Sequence, residues 1–134
     1  MPQPSRILLD TCSIIWAISE PEKLSQNART ALAQADAEIW YSPMSCAEVA
    51  WAAQRKRISI DRHWKLWFRH YVDLNDWQCL PIDLDIVEEA YSLPAPFHAD
   101  PVDRILVATA RLHDLRLVTG DQKMILYPHV RTLW

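Results

Sequence analysis

Residues 103–121, DRILVATARLHDLRLVTGD, join an apolar segment of helical length directly to a short run rich in leucine and valine. Residues 103–113 are predicted to form a helix, and residues 115–119 a buried strand that stops at Gly120 and Asp121. A strand of a parallel sheet is covered by helices on both faces, so it shows a continuous apolar run of this kind. The stretch therefore predicts an α/β fold with a parallel sheet.

The same alternation of strands and helices extends through the rest of the chain. Further strands are predicted at residues 6–9, 38–41, 81–82 and 130–133. Helices are predicted at residues 13–18, 24–35, 60–74 and 84–93, and from the capping pair Ser42-Pro43 to about residue 55. This order predicts a three-layer α/β/α sandwich with a central, mostly parallel sheet, and the length of 134 residues predicts one domain over residues 1–134.

The composition excludes several classes of protein. Gly120 is the single glycine, whereas a P-loop or a dinucleotide-binding fingerprint needs several glycines for close approach to phosphates. A net charge of −3 argues against binding of nucleic acid by bulk positive potential and leaves a local basic face as the alternative. The three cysteines are odd in number and widely spaced, and neither a signal peptide nor a membrane span is recognisable, so we expect reduced thiols in a cytoplasmic protein.

Acidic side chains occur where the predicted elements begin and end. Asp10 directly ends the first strand and Asp121 follows a late strand, so both are expected at the carboxyl edge of the sheet, where α/β proteins bind ligands. Asp103 begins an apolar helix three residues after Asp100, and Glu48 lies inside an otherwise apolar helical run. Several carboxylates buried together need protons, basic partners or a divalent cation.

Two interpretations of these acids remain open at this level. Mg²⁺ takes oxygen ligands from one or two carboxylates together with water and phosphate, so a cluster of acids without a phosphate loop fits hydrolysis of a phosphodiester. Taken singly, each acid also has a structural interpretation: Asp10, Asp100 or Asp103 as a helix cap, Glu48 as a partner of a base such as Arg55, and Asp121 as a turn residue. The joint occurrence of all of them favours the cluster.

Four stretches, in this order, resemble the motifs of PIN-domain proteins, in particular the bacterial VapC-like toxins: LLDTCSIIW at 8–16, SPMSCAEVAW at 42–51, HADPVDRILVATA at 98–110 and LVTGDQKM at 117–124. By this resemblance, the catalytic acids that bind Mg²⁺ or Mn²⁺ are Asp10, Glu48, Asp103 and Asp121. Asp100 is a fifth acid typical of the DPxDR form, which makes the metal ligands Asp10, Asp100, Asp103 and Asp121. Asp103 is favoured over Asp100 as the inner ligand, and the choice stays open.

The resemblance also implies supporting residues around these acids. Thr11, Ser45 and Thr119 correspond to small hydroxyl residues that orient carboxylates or water. Arg104 has two interpretations, a contact to substrate phosphate or a structural ion pair, and His98 is equally ambiguous. The chain departs from some members at Cys12, without consequence for activity, and it lacks an extra acid after Asp121, which could lower affinity for a second metal.

A basic segment at residues 54–70 is a candidate contact for RNA. The predicted RNA-binding residues are Arg55, Lys56, Arg57, Arg62 and Lys65, in a segment that also holds Arg69. Trp64, Trp67 and Phe68 are interleaved with them, and such a combination binds single-stranded RNA or a tRNA loop through phosphates and unpaired bases. The alternative is a solvated basic helix whose aromatic side packs in the core or in a dimer, and we favour it for the tryptophans.

The resemblance implies a Mg²⁺- or Mn²⁺-dependent endoribonuclease, the toxin of a toxin-antitoxin pair, neutralised by a cognate antitoxin and assembled as a homodimer. A non-catalytic PIN-like scaffold that binds RNA or protein is the first alternative, although such proteins usually lack one or more of the acids. A phospho-acceptor receiver domain is the second, and it would need a lysine after a late strand in place of the DPxDR element. Neither alternative predicts a membrane protein.

Overall fold

The computed structural model describes residues 5–134, in which five parallel strands form one sheet in the order β3-β2-β1-β4-β5. The strands are β1 Arg6–Leu9, β2 Glu38–Tyr41, β3 Gln78–Cys79, β4 Arg116–Val118 and β5 Thr132–Leu133. Helices cover both faces, so the predicted α/β/α sandwich is confirmed, and every strand pair of the described sheet is parallel. Residues 1–4 lie outside the described residues. They are the first residues of the predicted domain and of the stretch in which no signal peptide was expected.

The helices begin where polar side chains can accept hydrogen bonds from the first backbone N–H groups. They are α1 Thr11–Ser19, α2 Gln26–Ala33, α3 Pro43–Gln54, α4 Trp64–Leu74, α5 Leu84–Ala90, α6 Pro101–Leu112 and α7 Gln122–Ile125, with a short 3₁₀ turn at Pro21–Lys23. The Ser25 hydroxyl accepts from Ala28 N at 3.1 Å, and the Ser42 hydroxyl accepts from Met44 N at 3.2 Å. These contacts fix the starts of α2 and α3, as the predicted caps required.

The central strand β1 is buried on both faces. Successive side chains of a strand point to opposite faces, so Ile7 and Leu9 pack with the α1 residue Ile14 on one side, while Leu8 packs with the α6 residue Leu106 on the other. Ile7, Leu8 and Leu9 are fully buried. Because β1 pairs with both β2 and β4, its carboxyl end lies in the middle of the sheet edge.

Several predicted bounds differ from the structure, and one helix was not predicted. Helix α4 starts at Trp64 rather than at residue 60, because the His63 side chain caps it and Ile60 packs on the core from a non-helical segment. The third strand is Gln78–Cys79 rather than 81–82, where Pro81 lacks the N–H of a ladder. Helix α6 starts at Pro101, two residues before the predicted start, and α7 was not predicted.

The cysteines and the helix lengths can be compared with the predictions made from composition. All three cysteines are free, as expected for reduced thiols. Within residues 5–134 no helix combines the length and the apolar character needed to cross a lipid bilayer.

Candidate active site

Asp10 lies at the carboxyl end of β1 and is held by both central strands. Its Oδ1 accepts a hydrogen bond from Ser13 N at 2.8 Å, which caps α1, and its backbone N–H donates to Val118 O of β4 at 3.1 Å. The Thr119 hydroxyl also acts on this carboxylate and lowers its pKa. Asp10 is only 6% exposed, so its position is fixed by the sheet rather than by a surface loop.

Glu48 reaches the same edge of the sheet from the second turn of α3. The Thr11 hydroxyl is hydrogen-bonded to the Glu48 carboxylate and, at 3.0 Å, to the Ser45 hydroxyl. Thr11 immediately follows Asp10, and Ser45 lies three residues before Glu48 on α3, so this network joins the start of α1 to α3. Thr11 thus contacts the Glu48 carboxylate directly, and Ser45 contacts Thr11.

Asp100 and Asp121 each cap a helix. Asp100 Oδ1 accepts from Val102 N at 2.9 Å and Asp103 N at 3.1 Å, so Asp100 is the cap of α6. Asp121 Oδ1 accepts from Lys123 N at 2.9 Å, and Asp121 N donates to the Thr119 hydroxyl at 3.1 Å. Capping occupies only one oxygen of each carboxylate. Among the described residues no donor reaches Oδ2 of Asp100 or Asp121, so a capping role and a ligand role are compatible.

These side chains enclose one cleft of about 360 Å³. It is lined by Asp10, Thr11, Cys12, Trp16, Glu48, Asp100, Asp103, Leu106, Gly120, Asp121 and Met124. The lining contains five carboxylates and no lysine, arginine or histidine. The negative charge of the cleft is thus not balanced by basic groups within its walls.

Burial and mutual repulsion make the cleft retain protons. Burial raises the pKa of Asp103 from 3.8 to about 7, and the charges of Asp100 and Asp121 add to the effect. Burial also raises the pKa of Asp10 and Glu48, against hydrogen bonds from Ser13 and Thr11 that lower it. The pKa of the Cys12 thiol rises to about 11, because burial and the neighbouring carboxylates both oppose a thiolate. Cys12 is therefore a neutral wall residue.

The donor set fits a hard divalent cation. All five acidic side chains offer oxygen, and a cation would relieve their repulsion. In the part of the chain that the structure describes, however, no three acidic, histidine or cysteine side chains converge closely enough to enclose an ion by themselves. The five carboxylates therefore line one cleft without forming a closed set of ligands by themselves.

A family model for the PIN domain matches residues 7–129. The chain belongs to the PIN-domain family. Ribonuclease VapC22 of Mycobacterium tuberculosis is a relative by sequence, with 33% identity over 130 residues, which cover 96% of this chain and 98% of that protein. The resemblance to PIN-domain and VapC-like proteins is thereby confirmed.

Solved structures are also similar to this PIN domain. A toxin-antitoxin complex from Klebsiella pneumoniae contains a chain that matches with a TM-score of 0.66 and 25% identity, covering 94% of this chain and 96% of that chain. VapBC2 from Rickettsia felis, bound to a DNA fragment from its promoter, matches with a TM-score of 0.65 and 13% identity, covering 95% and 96%. At that low identity, the second match supports the fold alone.

Two candidate residues have contacts that sequence reasoning did not anticipate. His98 Nε2 lies 3.2 Å from Asp103 Oδ2, yet without the alignment of a hydrogen bond, and it has no other partner among the described residues. Arg104 donates to Ala90 O at 3.0 Å and to Phe97 O at 3.2 Å, so its guanidinium contacts backbone carbonyls rather than an acid of the cluster. Arg104 thus ties the end of α5 to the loop that carries His98.

The Arg104 contacts lead to a prediction about stability. Arg104→Lys should lower the free energy of unfolding by about 1 to 3 kcal/mol, because an ammonium group cannot span two carbonyls as the planar guanidinium does. RNA affinity should stay unchanged. Urea unfolding and an RNA-binding titration of the same variant measure both quantities, and a loss of affinity at unchanged stability would instead support the phosphate contact.

Sequence reasoning missed part of the cleft wall. Trp16, Leu106 and Met124 line it, and the only signal for Trp16 was its place at the end of the stretch LLDTCSIIW. Gly120 has a steric function there: a Cβ at this position would lie 2.9 Å from two ring atoms of Trp134. Glycine at this position therefore leaves room for the Trp134 indole beside the cleft. Its function here is to avoid a steric clash and not to bind phosphate.

Proposed function

We propose that the protein is a Mg²⁺- or Mn²⁺-dependent endoribonuclease, the toxin of a toxin-antitoxin pair. The observation that carries the proposal is the cleft with five carboxylates and no basic residue in its walls, at the carboxyl edge of the sheet of a PIN domain. Ribonuclease VapC22, at 33% identity over 96% of the chain, supports the choice of RNA as substrate.

The acids of the cleft have distinct parts in this proposal. The proposed metal ligands are Asp10, Asp100, Asp103 and Asp121, with Glu48 as the remaining catalytic acid. When bound, the cation supplies Lewis-acid stabilisation of the phosphate and lowers the pKa of a water molecule. The capping bonds of Asp10, Asp100 and Asp121 hold those carboxylates in place, and the network of Thr11 and Ser45 does so for Glu48. Asp103 is favoured over Asp100 as the inner ligand, because neither oxygen of its carboxylate accepts a capping hydrogen bond, whereas Asp100 has only Oδ2 left for a cation.

The basic segment is the proposed contact for the RNA backbone. Arg55, Lys56 and Arg57 follow α3 directly, are exposed, and have no acidic partner within residues 5–134. Arg62 is different, since it makes two contacts to Asp61, at 3.1 and 3.2 Å. Lys65 is exposed on α4, 5.9 Å from the Trp64 ring. The charges available to phosphate are therefore mainly those of residues 55–57 and Lys65.

Replacing Arg55, Lys56 and Arg57 together by glutamine should weaken RNA binding and flatten its dependence on salt. Removing one cation that binds phosphate lowers the slope of log affinity against log salt by about 0.7 for a single strand. The measurement is a set of binding titrations at several salt concentrations. Arg62→Gln, which removes a cation already paired with Asp61, is the matched control. An unchanged slope in the triple variant would assign residues 55–57 to solvent or to a protein partner.

The proposed partners are a cognate antitoxin and a second copy of the chain. A solved structure with a chain similar to this one is a toxin-antitoxin complex, which supports an antitoxin partner. The acidic cleft would attract a basic segment of such a partner, and binding there would exclude substrate. The proposed substrate is RNA, including tRNA, in the cytoplasm.

The test is cleavage of total cellular RNA by the purified chain, free of antitoxin, with Mg²⁺, Mn²⁺ or EDTA. A variant with Asp10 replaced by asparagine is the inactive control. We expect fragments that need the metal and disappear in the variant. Binding of RNA without cleavage in any metal would contradict the nuclease and favour the non-catalytic PIN-like scaffold.

A further inference from the structure

We propose that the exposed indole of Trp51, with the guanidinium groups of Arg55 and Arg57 over it, is a stacking site for an unpaired RNA nucleotide beside the acidic cleft. The proposal rests on the proposed ribonuclease function and names the form of RNA that the site accepts. It gives a role to an aromatic residue that neither the acidic cleft nor the predicted basic segment included.

Trp51 differs from the other tryptophans in its exposure. The chain has seven tryptophans, all within the described residues, and Trp51 is the most exposed of them, with 45% of its full accessible surface open to solvent. Trp67 is only 1% exposed, and Trp64 is partly buried against the same core cluster. Packing against the core, which accounts for Trp64 and Trp67, thus does not account for the exposed surface of Trp51.

The guanidinium groups of two arginines lie over the indole of Trp51. The guanidinium carbon of Arg55 lies 4.3 Å from the ring centroid and that of Arg57 lies 4.7 Å from it. Neither arginine has an acidic partner among residues 5–134, so two positive charges are held together without a counter-ion from the described chain. Their place at the carboxyl end of α3 favours cations through the helix dipole, but the dipole does not explain why an exposed indole lies against both of them.

Trp51 lies on the same helix as a candidate catalytic acid, and the two arginines follow the end of that helix. Trp51 follows Glu48 by three residues, which is a rise of about 4.5 Å along α3 and a rotation of about 60° around it. Arg55 lies one further turn along the same face. A strand of RNA whose phosphate occupies the cleft would therefore pass Trp51 and Arg55 with a neighbouring nucleotide.

The chemistry of the cluster matches an unpaired nucleotide. A base stacks on an aromatic ring or on a guanidinium plane, and phosphate neutralises the two arginines. A duplex presents phosphates but keeps its bases stacked inside, so it could use the arginines and not the indole. A preference for single-stranded RNA follows from Trp51, whereas the salt dependence follows from Arg55 and Arg57.

The test uses the full chain carrying Asp10→Asn, so that RNA is bound without being cut. A fluorescently labelled, unstructured RNA oligonucleotide and the same sequence annealed to its complement are titrated with protein while anisotropy is recorded. Trp51→Ala should weaken single-strand binding about 10-fold, with an unchanged salt slope and little effect on the duplex. Trp51→Phe should retain most of the affinity, and Leu66→Ala, which removes another exposed apolar side chain, should have no effect.

Each outcome decides the proposal. Equal losses on single strand and duplex, or no loss at all, would overturn the stacking site. Loss of affinity in Trp51→Phe as large as in Trp51→Ala would also overturn it, because phenylalanine still offers a face for a base. If the chain with Asp10 intact fails to cut RNA while Trp51→Ala still selectively loses single-strand binding, the nuclease fails and the stacking site stands.

Discussion

Replacement of Asp10 by asparagine is expected to lower RNA cleavage by about 10²- to 10³-fold and to leave the fold intact. Asparagine keeps the volume of the side chain and an oxygen that can accept from Ser13 N, so the cap of α1 is preserved. It removes the negative charge that the proposed cation needs. Because Asp10 is buried and its pKa is raised by that burial, loss of the charge should not lower stability.

The measurement pairs the rate of cleavage with the free energy of unfolding of the same preparation. Asp10→Ala provides the contrast, since alanine loses both the charge and the cap and should cost about 1 kcal/mol of stability as well. Glu48→Gln, which keeps an acceptor for Thr11, is expected to reduce cleavage in the same way without unfolding. Failure of Asp10→Asn to fold would instead give Asp10 a structural role, and undiminished cleavage would remove it from the catalytic acids.

The elements that could be predicted from the sequence are those whose signals are local. Strands β1 and β2 agree with their predicted bounds, because each is a short run of apolar or aromatic residues, and the hydroxyl of Ser42 correctly marks the start of α3. The start of α4 was wrong because Ile60 has the helical spacing but packs on the core from outside the helix. The four-residue helix α7 is too short for a periodic signal.

The acids of the site were predictable for a similar reason. In a parallel sheet the ends of strands meet at one edge, so Asp10 and Asp121 could be placed there from their positions after β1 and β4. Their hydrogen-bond partners were harder to predict. Thr11 and Glu48 are 37 residues apart, and Arg104 bonds to backbone carbonyls, which every residue carries and no sequence pattern marks.

The aromatic residues show what helical periodicity can predict and what it cannot. Trp64, Trp67 and Phe68 have the spacing of one helix face among basic residues, and the structure confirms the core interpretation for Trp67 and Phe68, which are buried. In the sequence, Trp51 is only the last residue of the motif at 42–51, yet in the structure it is the most exposed of the seven tryptophans. Its contacts with Arg55 and Arg57 depend on where α3 ends, which a sequence defines only to within a few residues.

The metal-free protein is expected to lose stability as the pH rises from about 4 to about 7. In the folded chain the pKa of Asp103 is about 7, whereas its ordinary value is 3.8. Between these values the folded state keeps a proton that the unfolded state has released, so the free energy of unfolding falls with increasing pH and levels off above pH 7. The loss is on the order of 4 kcal/mol, since the pKa of Asp103 changes by about three units between the two states and each unit corresponds to about 1.4 kcal/mol.

Asp103→Asn removes this titration and should therefore be more stable than the natural chain at pH 8 in EDTA, with little difference at pH 4. Urea unfolding at both values measures the effect, and Asp85→Asn, on the exposed side of α5, is the control that should leave it unchanged. Added Mn²⁺ should stabilise the natural chain at pH 8 more than the variant, because a ligand that binds only the folded state adds to its stability. Parallel pH profiles for the natural chain and Asp103→Asn would mean that this carboxylate is not destabilised by burial, and the repulsion that makes the cleft a cation site would then have to come from the other acids.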